Sequence, residues 1–548
     1  TVLLEMAKGG NENFQVYRRL GQYGRPELWT DGKSRNLLGP INDAGTHAII
    51  ASNKRNGRDM DVYLVPLAER GEWTELMQVE NQTWHAHDWS PDGKRVLLTR
   101  YVSINESHPA VLDVATKVVT ELPPGPLRPV VTPDPHSGPA SFTQLHFGTD
   151  NHTVYLATDA RSEFQQLYRL NLNMSDYTQL AKWTSWTWDV EEIAVERKTG
   201  EVAVVTNEEG SSALWLLDGE DVKQVPVPTG VVDHVEFSPD GRQLGFTLAR
   251  PNAPPDAFSW DTAEKKLTQW TFGEVGGLDP QTFITPKLVR FPSFDKRSIP
   301  AFYFAPKNTS PDKKFPVIIQ IHGGPESQAR PLFSGIEQFY LNEMGIAVLV
   351  PNVRGSAGYG KTYLTLDNGP KREDSVKDIG ALLDWIATQP ELDASRVAVS
   401  GGSYGGFMVL SSLTHYPDRL KAGIDNVGIA NFITFLETTS GYRRDLRRAE
   451  YGDERDPEMR AVFERINPTA NAHKIRSALL VAHGKNDPRV PFSEAELIAP
   501  LVRKNNAPVW TIYADNEGHG FRRRENRDYL TAASVLFLEQ HLVGKAVP

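Results

Sequence analysis

The 548-residue sequence contains no cysteine, which excludes disulfide bonds, thiolate metal sites and cysteine nucleophiles and leaves the redox compartment open. It also lacks any apolar run near the roughly 20 residues that a helix needs to cross a bilayer, so we expect no membrane partner. Cationic residues are in deficit: 59 Lys and Arg stand against 69 Asp and Glu, and the net charge of −10 argues against a nucleic-acid partner. The remaining composition is that of a globular chain, long enough for two or more domains.

The chain opens on Thr1 rather than on methionine, and residues 1–4 already resemble a strand. This start suggests a processed or truncated chain, so an earlier signal peptide stays open. The cellular location is therefore unknown: a cytoplasmic one is slightly favoured, and a periplasmic one applies if a signal peptide was removed. Whether the chain forms a homo-oligomer also stays open.

Residues 1 to about 275 carry repeated β-hairpin signals. The turn Ser90-Pro91-Asp92-Gly93 returns as Ser238-Pro239-Asp240-Gly241, and an alternating apolar strand follows each copy. Two hairpins in every roughly 40–60 residues are typical of the four-stranded blades of a β-propeller. About six such units can be counted, and a seventh stays open at the N-terminus. A β-sandwich is the alternative, but the regular repeat favours a propeller over residues 1–280.

Beyond Gly276 and Gly277 the pattern changes to alternating strands and helices, which predicts a largely parallel sheet covered on both faces. This layout is typical of an α/β-hydrolase domain, to which we assign residues 281–548. Apolar strands are expected at 315–321, 345–350, 396–399, 422–427, 477–482 and 509–513, and helices at 378–387 and 529–542.

One short motif lies at the centre of that domain, the pattern Gly401-x-Ser403-x-Gly405. An apolar strand precedes it and a helical pattern follows, which is the context of a nucleophile elbow. The glycines allow a turn too tight for a Cβ, and the turn places the serine hydroxyl at the end of the sheet. The sequence therefore predicts Ser403 as a nucleophile, with the backbone N–H of Tyr404 as an oxyanion-hole donor.

An acid and then a histidine are expected after such a serine. Strand 477–482 leads into a turn with Asp487, and strand 509–513 leads into a loop in which glycines flank His519. In this arrangement His519 takes the serine proton and Asp487 orients the imidazole. Asp515 is the alternative acid, and His483 is interpreted as a histidine whose partner is backbone in the turn.

The oxyanion hole needs a second donor. His322-Gly323-Gly324-Pro325 follows strand 315–321, the position where this fold supplies that donor. We favour the N–H of Gly324, with that of Gly323 as the alternative.

Five motifs together resemble the prolyl oligopeptidase family, in particular its acylaminoacyl-peptidase-like bacterial branch. They are 401–406, 322–325, 354–360, 487–491 and 517–521. The resemblance implies a serine peptidase for short peptides that needs no cofactor, with the propeller as a size filter over the site. Several members use a tyrosine hydroxyl in the oxyanion hole near the position of His322. Here a backbone donor must serve instead, so prolyl specificity is not carried over.

Four arginines, Arg443, Arg444, Arg447 and Arg448, fall within six residues between strands 422–427 and 477–482. At helical spacing they form two adjacent rows, and one row could bind the terminal carboxylate of a peptide. The alternative is that they pair with nearby acids, Glu450 among them, or support the propeller interface.

Two other motifs have structural interpretations that we favour. His85 and His87 alternate along a predicted strand, which argues against metal binding. Glu191 and Glu192 resemble the glutamates with which the dipeptidyl-peptidase branch binds a substrate's amino terminus, but here they begin a blade strand. Two other function classes stay open: a carboxylesterase or lipase with the same triad, and a non-catalytic propeller scaffold.

Overall fold

The structure is a computed structural model that describes residues 2–21, 23–68, 71–123, 138–174, 176–180, 187–219, 221–307 and 314–545. Its residues form a β-propeller followed by an α/β-hydrolase domain, so the predicted fold class is confirmed. None of the described helices combines the length and the apolar character that a membrane crossing requires.

The propeller contains six antiparallel sheets within the described residues, one with three strands and five with four. The first strands of successive four-stranded blades lie next to one another around the axis of the propeller. In chain order the blades are Val2–Met6, Gln15–Arg19 and Glu27–Leu28; Asn36–Ile41, His47–Ser52, Asp61–Pro66 and Thr74–Met77; Thr83–Trp89, Arg95–Ser103, Glu106–Asp113 and Val119–Glu121; Phe142–Phe147, Thr153–Thr158, Gln166–Asn171 and Asp176–Gln179; Asp189–Val195, Val202–Glu208, Ser211–Asp218 and Asp221–Val225; Val231–Phe237, Gln243–Arg250, Ala253–Asp261 and Lys266–Gln269.

The two repeated turns connect the first and second strands of their blades, as a hairpin signal predicts. In the first, Ser90 Oγ donates to Asp92 Oδ1 at 2.6 Å, and the N–H of Gly93 donates to the Ser90 carbonyl at 2.8 Å. Gly93 has φ of 68°, in the left-handed region that favours glycine. The copy at Ser238 repeats both bonds at 2.6 and 2.8 Å.

The hydrolase domain is built on an eight-stranded sheet whose last five strand pairs are parallel. In sheet order the strands are Lys287–Pro292, Ser298–Phe304, Ala347–Pro351, Phe315–Ile321, Leu392–Gly402, Ala422–Asn426, Ala478–Gly484 and Val509–Ala514. Alternate residues of one strand enter opposite cores: Val317 and Ile319 pack on one face and Ile318 on the other. Burial of both faces explains why the central strands, such as Phe315–Ile321 and Ala478–Gly484, are nearly continuously apolar.

Ten α-helices surround this sheet in the described residues. They are Gly335–Asn342, Lys361–Leu364, Asp374–Thr388, Tyr404–His415, Phe432–Thr438, Gly441–Tyr451, Pro457–Ile466, Pro468–Asn471, Ser493–Arg503 and Arg524–Leu538. Short 3₁₀ turns occur at Pro280–Thr282, Gly369–Lys371 and Ala472–Lys474, and a π-helical turn at Glu539–Val543.

The elbow strand is Leu392–Gly402, the elbow helix is Tyr404–His415, and the arginine helix is Gly441–Tyr451. The elbow strand begins four residues before the predicted apolar run. The arginine helix packs against the propeller strand Arg95–Ser103, so it lies between the two domains. The predicted domain boundary at 280/281 falls in the 3₁₀ turn between the last blade and the sheet.

Candidate active site

Ser403 lies at the tip of the turn between the elbow strand and the elbow helix. Its φ of 60° and ψ of −119° form a conformation that side-chain-bearing residues rarely adopt, at a cost of order 1–3 kcal/mol. The neighbouring glycines allow the turn to close. A Cβ on Gly401 would lie 2.4 Å from the carbonyl oxygen of Gly405, and one on Gly405 would lie 2.2 Å from that of Ile321. The N–H of Ser403 donates to the carbonyl of Asn426 at 2.9 Å, so the adjacent strands hold the turn on both sides.

The predicted oxyanion-hole donors are near this turn. Gly323 packs on the serine, since a Cβ built on Gly323 would lie 3.4 Å from Ser403 Cβ. Among the described residues, the backbone N–H groups of Gly323, Gly324 and Tyr404 have no hydrogen-bond acceptor. Three unengaged donors are therefore available around Ser403.

His322 fixes the orientation of one of these donors. Its Nδ1 lies 2.7 Å from the carbonyl oxygen of Gly323, and its Nε2 lies 2.9 Å from Ser356 Oγ. Burial lowers the pKa of His322, which favours a neutral ring, and the carbonyl partner of Nδ1 can only accept, so Nδ1 is the donor in that contact. The Gly323 carbonyl belongs to the same planar peptide as the N–H of Gly324. By holding that carbonyl, His322 directs the Gly324 N–H to the opposite side, which favours Gly324 over Gly323 as the donor.

A buried polar network lies behind the oxyanion loop. The Tyr451 hydroxyl donates to the Gly324 carbonyl at 2.7 Å, and the Tyr404 hydroxyl donates to Asp367 Oδ2 at 3.0 Å. Asp367 also forms a 2.6 Å ion pair with Arg372, and both side chains are fully buried. Breaking one partner of such a pair is costly because the other charge stays buried. The network therefore holds the elbow helix and the oxyanion loop in one arrangement.

Asp487 and His519 meet at the carboxyl ends of adjacent strands. His519 Nδ1 lies 2.7 Å from Asp487 Oδ2, while Asp487 Oδ1 accepts the N–H groups of Arg489 and Val490 at 2.8 and 3.0 Å. Burial alone would raise the pKa of Asp487, but His483 and His519 outweigh it and lower that pKa to about 2. Asp487 is thus an ionised acceptor that can orient His519 and stabilise its protonated form.

The remaining candidates around this pair have other partners. His483 is fully buried, and its Nε2 lies 2.9 Å from the carbonyl oxygen of Val490 and 3.5 Å from Asp487 Oδ2. Asp515 is exposed and pairs with Lys485 at 2.6 Å. Across the described ranges, the hydroxyl of Ser403 makes no hydrogen bond to His519. Unliganded sites often show such long contacts, which tighten when substrate binds.

The four predicted arginines differ in the partners that their side chains have in the structure. Arg448 pairs with Glu454 and with Asp445, and Arg447 forms an ion pair with the buried Glu450. A guanidinium nitrogen of Arg444 donates to a backbone carbonyl, that of Thr439, at 3.0 Å. The half-buried guanidinium of Arg443 makes no hydrogen bond or ion pair with any residue that the structure describes. Arg443 is therefore the one member of the predicted set without a protein partner in the described part of the chain.

A loop of the first propeller blade contacts both the loop that carries Asp487 and the loop that carries His519. Gly10 and Gly518 touch through their backbones, since a Cβ on Gly10 would lie 2.2 Å from the Gly518 nitrogen. The side-chain amide of Asn486 donates to the carbonyl of Gly9 at 3.1 Å. These contacts reach the neighbours of Asp487 and His519 from the other domain.

Glu12 on the same loop joins the two domains electrostatically. It is 5% exposed and accepts from Arg489 Nε at 2.5 Å and from the Tyr442 hydroxyl at 2.8 Å. Arg35 of the propeller lies 3.8 Å away. Although burial raises the pKa of Glu12, Arg489 and Tyr442 outweigh that effect and lower it. We call this group, Glu12 with Arg35, Arg489 and Tyr442, the interdomain cluster.

Sequence reasoning did not identify the interdomain cluster, Tyr451 or the role of His322. Gly9 and Gly10, which precede Glu12, were the only local signal. They predict a turn, but they do not show which residues of the other domain that turn contacts. The other motifs have polar partners: His87 Nε2 lies 2.8 Å from Thr99 Oγ1, and Glu191 pairs with Arg330 across the domains at 2.7 Å.

The chain is similar to a known protein family and to several enzymes. Residues 331–545 match the model of the prolyl oligopeptidase family. The chain is 30% identical to dipeptidyl aminopeptidase BIII of Pseudoxanthomonas mexicana over 305 residues, which cover 54% of this chain and 44% of that protein. It is 29% identical to the acylamino-acid-releasing enzyme of Mus musculus over 252 residues, which cover 44% of this chain and 34% of that enzyme. The matches thus span about half or less of these relatives.

Solved structures extend the likeness to both domains. A puromycin-hydrolyzing peptidase of Mycobacterium tuberculosis superposes with a TM-score of 0.83 at 19% identity, covering 99% of this chain and 86% of that one. At this identity the likeness concerns the fold alone.

The crowded turn at Ser403 generates one prediction. Gly405→Ala should distort the turn because its Cβ would meet the Ile321 carbonyl at 2.2 Å. We expect loss of Ser403 labelling by a fluorophosphonate and a fall in Tm of several degrees. Gly402→Ala is the matched control, since its Cβ would make only an ordinary contact, 3.6 Å from the Asn426 carbonyl oxygen. Equal labelling of the two variants would contradict the explanation.

The interdomain cluster leads to a second prediction. Glu12→Gln removes the charge that holds Arg489, whose backbone binds Asp487, so we expect fluorophosphonate labelling of Ser403 to slow roughly 10-fold or more. Glu209→Gln is the control, because it removes another cross-domain ion pair, that with Arg290. Comparable labelling rates in the two variants, at similar Tm, would show that the cluster does not support the catalytic loops.

Proposed function

We propose, from the premise that residues 331–545 form a prolyl oligopeptidase family domain, that the chain is a serine peptidase acting on short peptides. The observation that carries the proposal is the 2.7 Å contact between His519 Nδ1 and the ionised Asp487, at the same sheet edge as the Ser403 turn. A nucleophile on a strained turn beside an oriented imidazole is the arrangement that acyl transfer requires.

The chemistry would proceed in two steps. Ser403 Oγ adds to the peptide carbonyl carbon while His519 Nε2 takes its proton, and the carbonyl oxygen becomes an oxyanion held by the N–H groups of Tyr404 and Gly324. His519 then gives the proton to the leaving amine as the C–N bond breaks. Water, activated by His519, adds to the acyl-enzyme and releases the second product and the free serine. Asp487 stabilises the imidazolium in both steps.

A carboxylesterase using the same residues is the alternative. The closed interdomain architecture favours a peptidase, because a covering propeller restricts large substrates and gives no advantage with small soluble esters. Comparison of kcat/KM for a peptide amide and a matched acyl ester distinguishes the two. Negligible amide hydrolysis with rapid ester hydrolysis would support the esterase.

The triad generates the next prediction. Ser403→Ala and His519→Ala should each lower kcat at least about 10³-fold without changing Tm, since triad members act as a unit. Asp487→Asn should lose activity strongly, because an amide cannot stabilise the imidazolium. Asp515→Asn is the matched control: its carboxylate pairs with Lys485, so we expect near-normal kcat. Near-full activity of Asp487→Asn with loss in Asp515→Asn would reassign the acid.

The propeller is proposed to limit the size of substrates. A cavity of about 510 Å³ lies where the blades meet the hydrolase domain, with Glu192 and Asp233 on the propeller side and Arg330 and Gly358 on the other. Cross-domain bonds surround it, such as Asn207 to Gln328 at 2.6 Å. A cavity of this size suits a ligand of a few residues rather than a folded chain.

Substrate size provides the test of this filter. Peptides of a few to a few tens of residues should be cut, while a stable folded protein should resist. The control is the same protein presented as separate short peptides, which keeps the cleavable sequences and changes only the size. Efficient digestion of the folded form, with products appearing as fast as from the peptides, would contradict the size filter.

A further inference from the structure

We propose that Arg443 binds the C-terminal α-carboxylate of the peptide substrate; this inference rests on the proposed peptidase function and specifies its substrate class. The sequence offered all four arginines as candidates for binding this carboxylate, and the contacts in the structure leave one of them available. Arg447 and Arg448 are occupied by carboxylates and Arg444 by a backbone carbonyl. Arg443 alone among the four has a guanidinium without a partner in the described residues.

The charges around Arg443 do not compensate it. Arg447 and Arg489 are its cationic neighbours, and the nearby carboxylate of Glu12 already accepts from Arg489 and from Tyr442. Burial and the two neighbouring cations lower the pKa of Arg443, yet guanidinium stays charged at neutral pH. A half-buried cation among cations has a strong electrostatic preference for an anion.

The other carboxylates of this region are committed as well. Glu450 is 3% exposed and holds Arg447. Burial, followed by the charge of Glu450, raises the pKa of Glu326 well above the usual value of a glutamate, which favours its neutral form. The described part of the protein therefore supplies no free carboxylate for Arg443, and a substrate can supply one.

The position of Arg443 suits a substrate group close to the scissile bond. One neighbour, Arg489, donates its backbone N–H to the catalytic acid Asp487 at 2.8 Å. The other, Arg447, faces Glu326, which follows the oxyanion loop by two residues. Arg443 thus lies near one residue that binds Asp487 and near another that interacts with Glu326, on the helix that packs against the propeller.

The chemistry selects a carboxylate. The planar guanidinium presents paired N–H donors that match the two oxygens of a carboxylate. Two groups of a peptide carry that chemistry, the terminal α-carboxylate and the side chain of Asp or Glu. A short peptide held inside a covered cavity always brings its own terminus, so we assign the terminal group. Cleavage would then fall near the C-terminus of the substrate.

The experiment uses one peptide in three forms: the free acid, the C-terminal amide, and the amide with glutamate as its last residue. We expect the wild type to favour the free acid over the plain amide in kcat/KM by roughly 30- to 150-fold, the range for a charge-assisted pair. Arg443→Ala should remove this preference, mainly through KM for the acid, and leave the plain amide unchanged. Arg443→Lys should keep part of it. Arg460→Ala, an exposed arginine paired with Glu437, is the matched control and should behave as wild type.

The outcomes separate the two proposals. Equal rates for acid and amide in the wild type, with normal fluorophosphonate labelling of Ser403, would overturn the anchor and leave the peptidase proposal standing. A preference for the glutamate-ended amide over the free acid, lost in Arg443→Ala, would assign the site to side chains and overturn the terminal anchor. No cleavage of any form, with Ser403 unlabelled, would overturn the proposed function and the anchor with it.

Discussion

The strained turn at Ser403 is the constraint on which the rest of the hydrolase domain depends. Contacts with the strands on both sides hold Ser403 at a φ of 60°. On one side Gly405 packs against the backbone of Ile321, and on the other the carbonyl of Asn426 accepts the N–H of Ser403. The same feature requires a central strand with a neighbour on each side, because an edge strand could not provide contacts from two sides. The contacts that hold the geometry of Ser403 are therefore also contacts that stabilise the fold of this domain.

The second constraint is the placement of charge at the domain interface. Glu12 belongs to the propeller, yet it holds Arg489, whose backbone N–H donates to Asp487, the candidate acid. A buried carboxylate with a cation from each domain is costly to separate, since each opening would leave a charge unpaired. The first blade of the propeller thus contributes to the surroundings of the loops that carry Asp487 and His519.

The sequence predicts local features well and long-range partners poorly. The Ser403 turn follows from glycine spacing between a strand and a helix, and the order Asp487 then His519 follows from where parallel strands end. Glu12 could not be found this way, because its partner Arg489 is 477 positions away and no local pattern links them. The four arginines combine a feature that local sequence predicts with one that depends on long-range contacts. Helical spacing predicts which arginines share a row, but only tertiary packing decides that Glu450 pairs with Arg447 and that the Arg443 side chain has no partner in the described ranges.

The surfaces where the two domains meet differ in charge, and under the proposed peptidase function this difference bears on how a peptide would lie between them. Acidic groups line the propeller side, where Glu192 and Asp233 interact closely and burial raises the pKa of Asp189 to about 7. The negative charge of that side therefore grows as the pH rises through neutrality. The arginine helix, on which the Arg443 side chain has no partner among the described residues, packs beside the loops that contain Asp487 and Gly324. A peptide with both ends free has a positive amino end and a negative carboxyl end, so this field favours one orientation, carboxyl end toward Arg443. Orientation by the field and anchoring by one guanidinium then act in the same direction, because both lower the energy of the same bound pose.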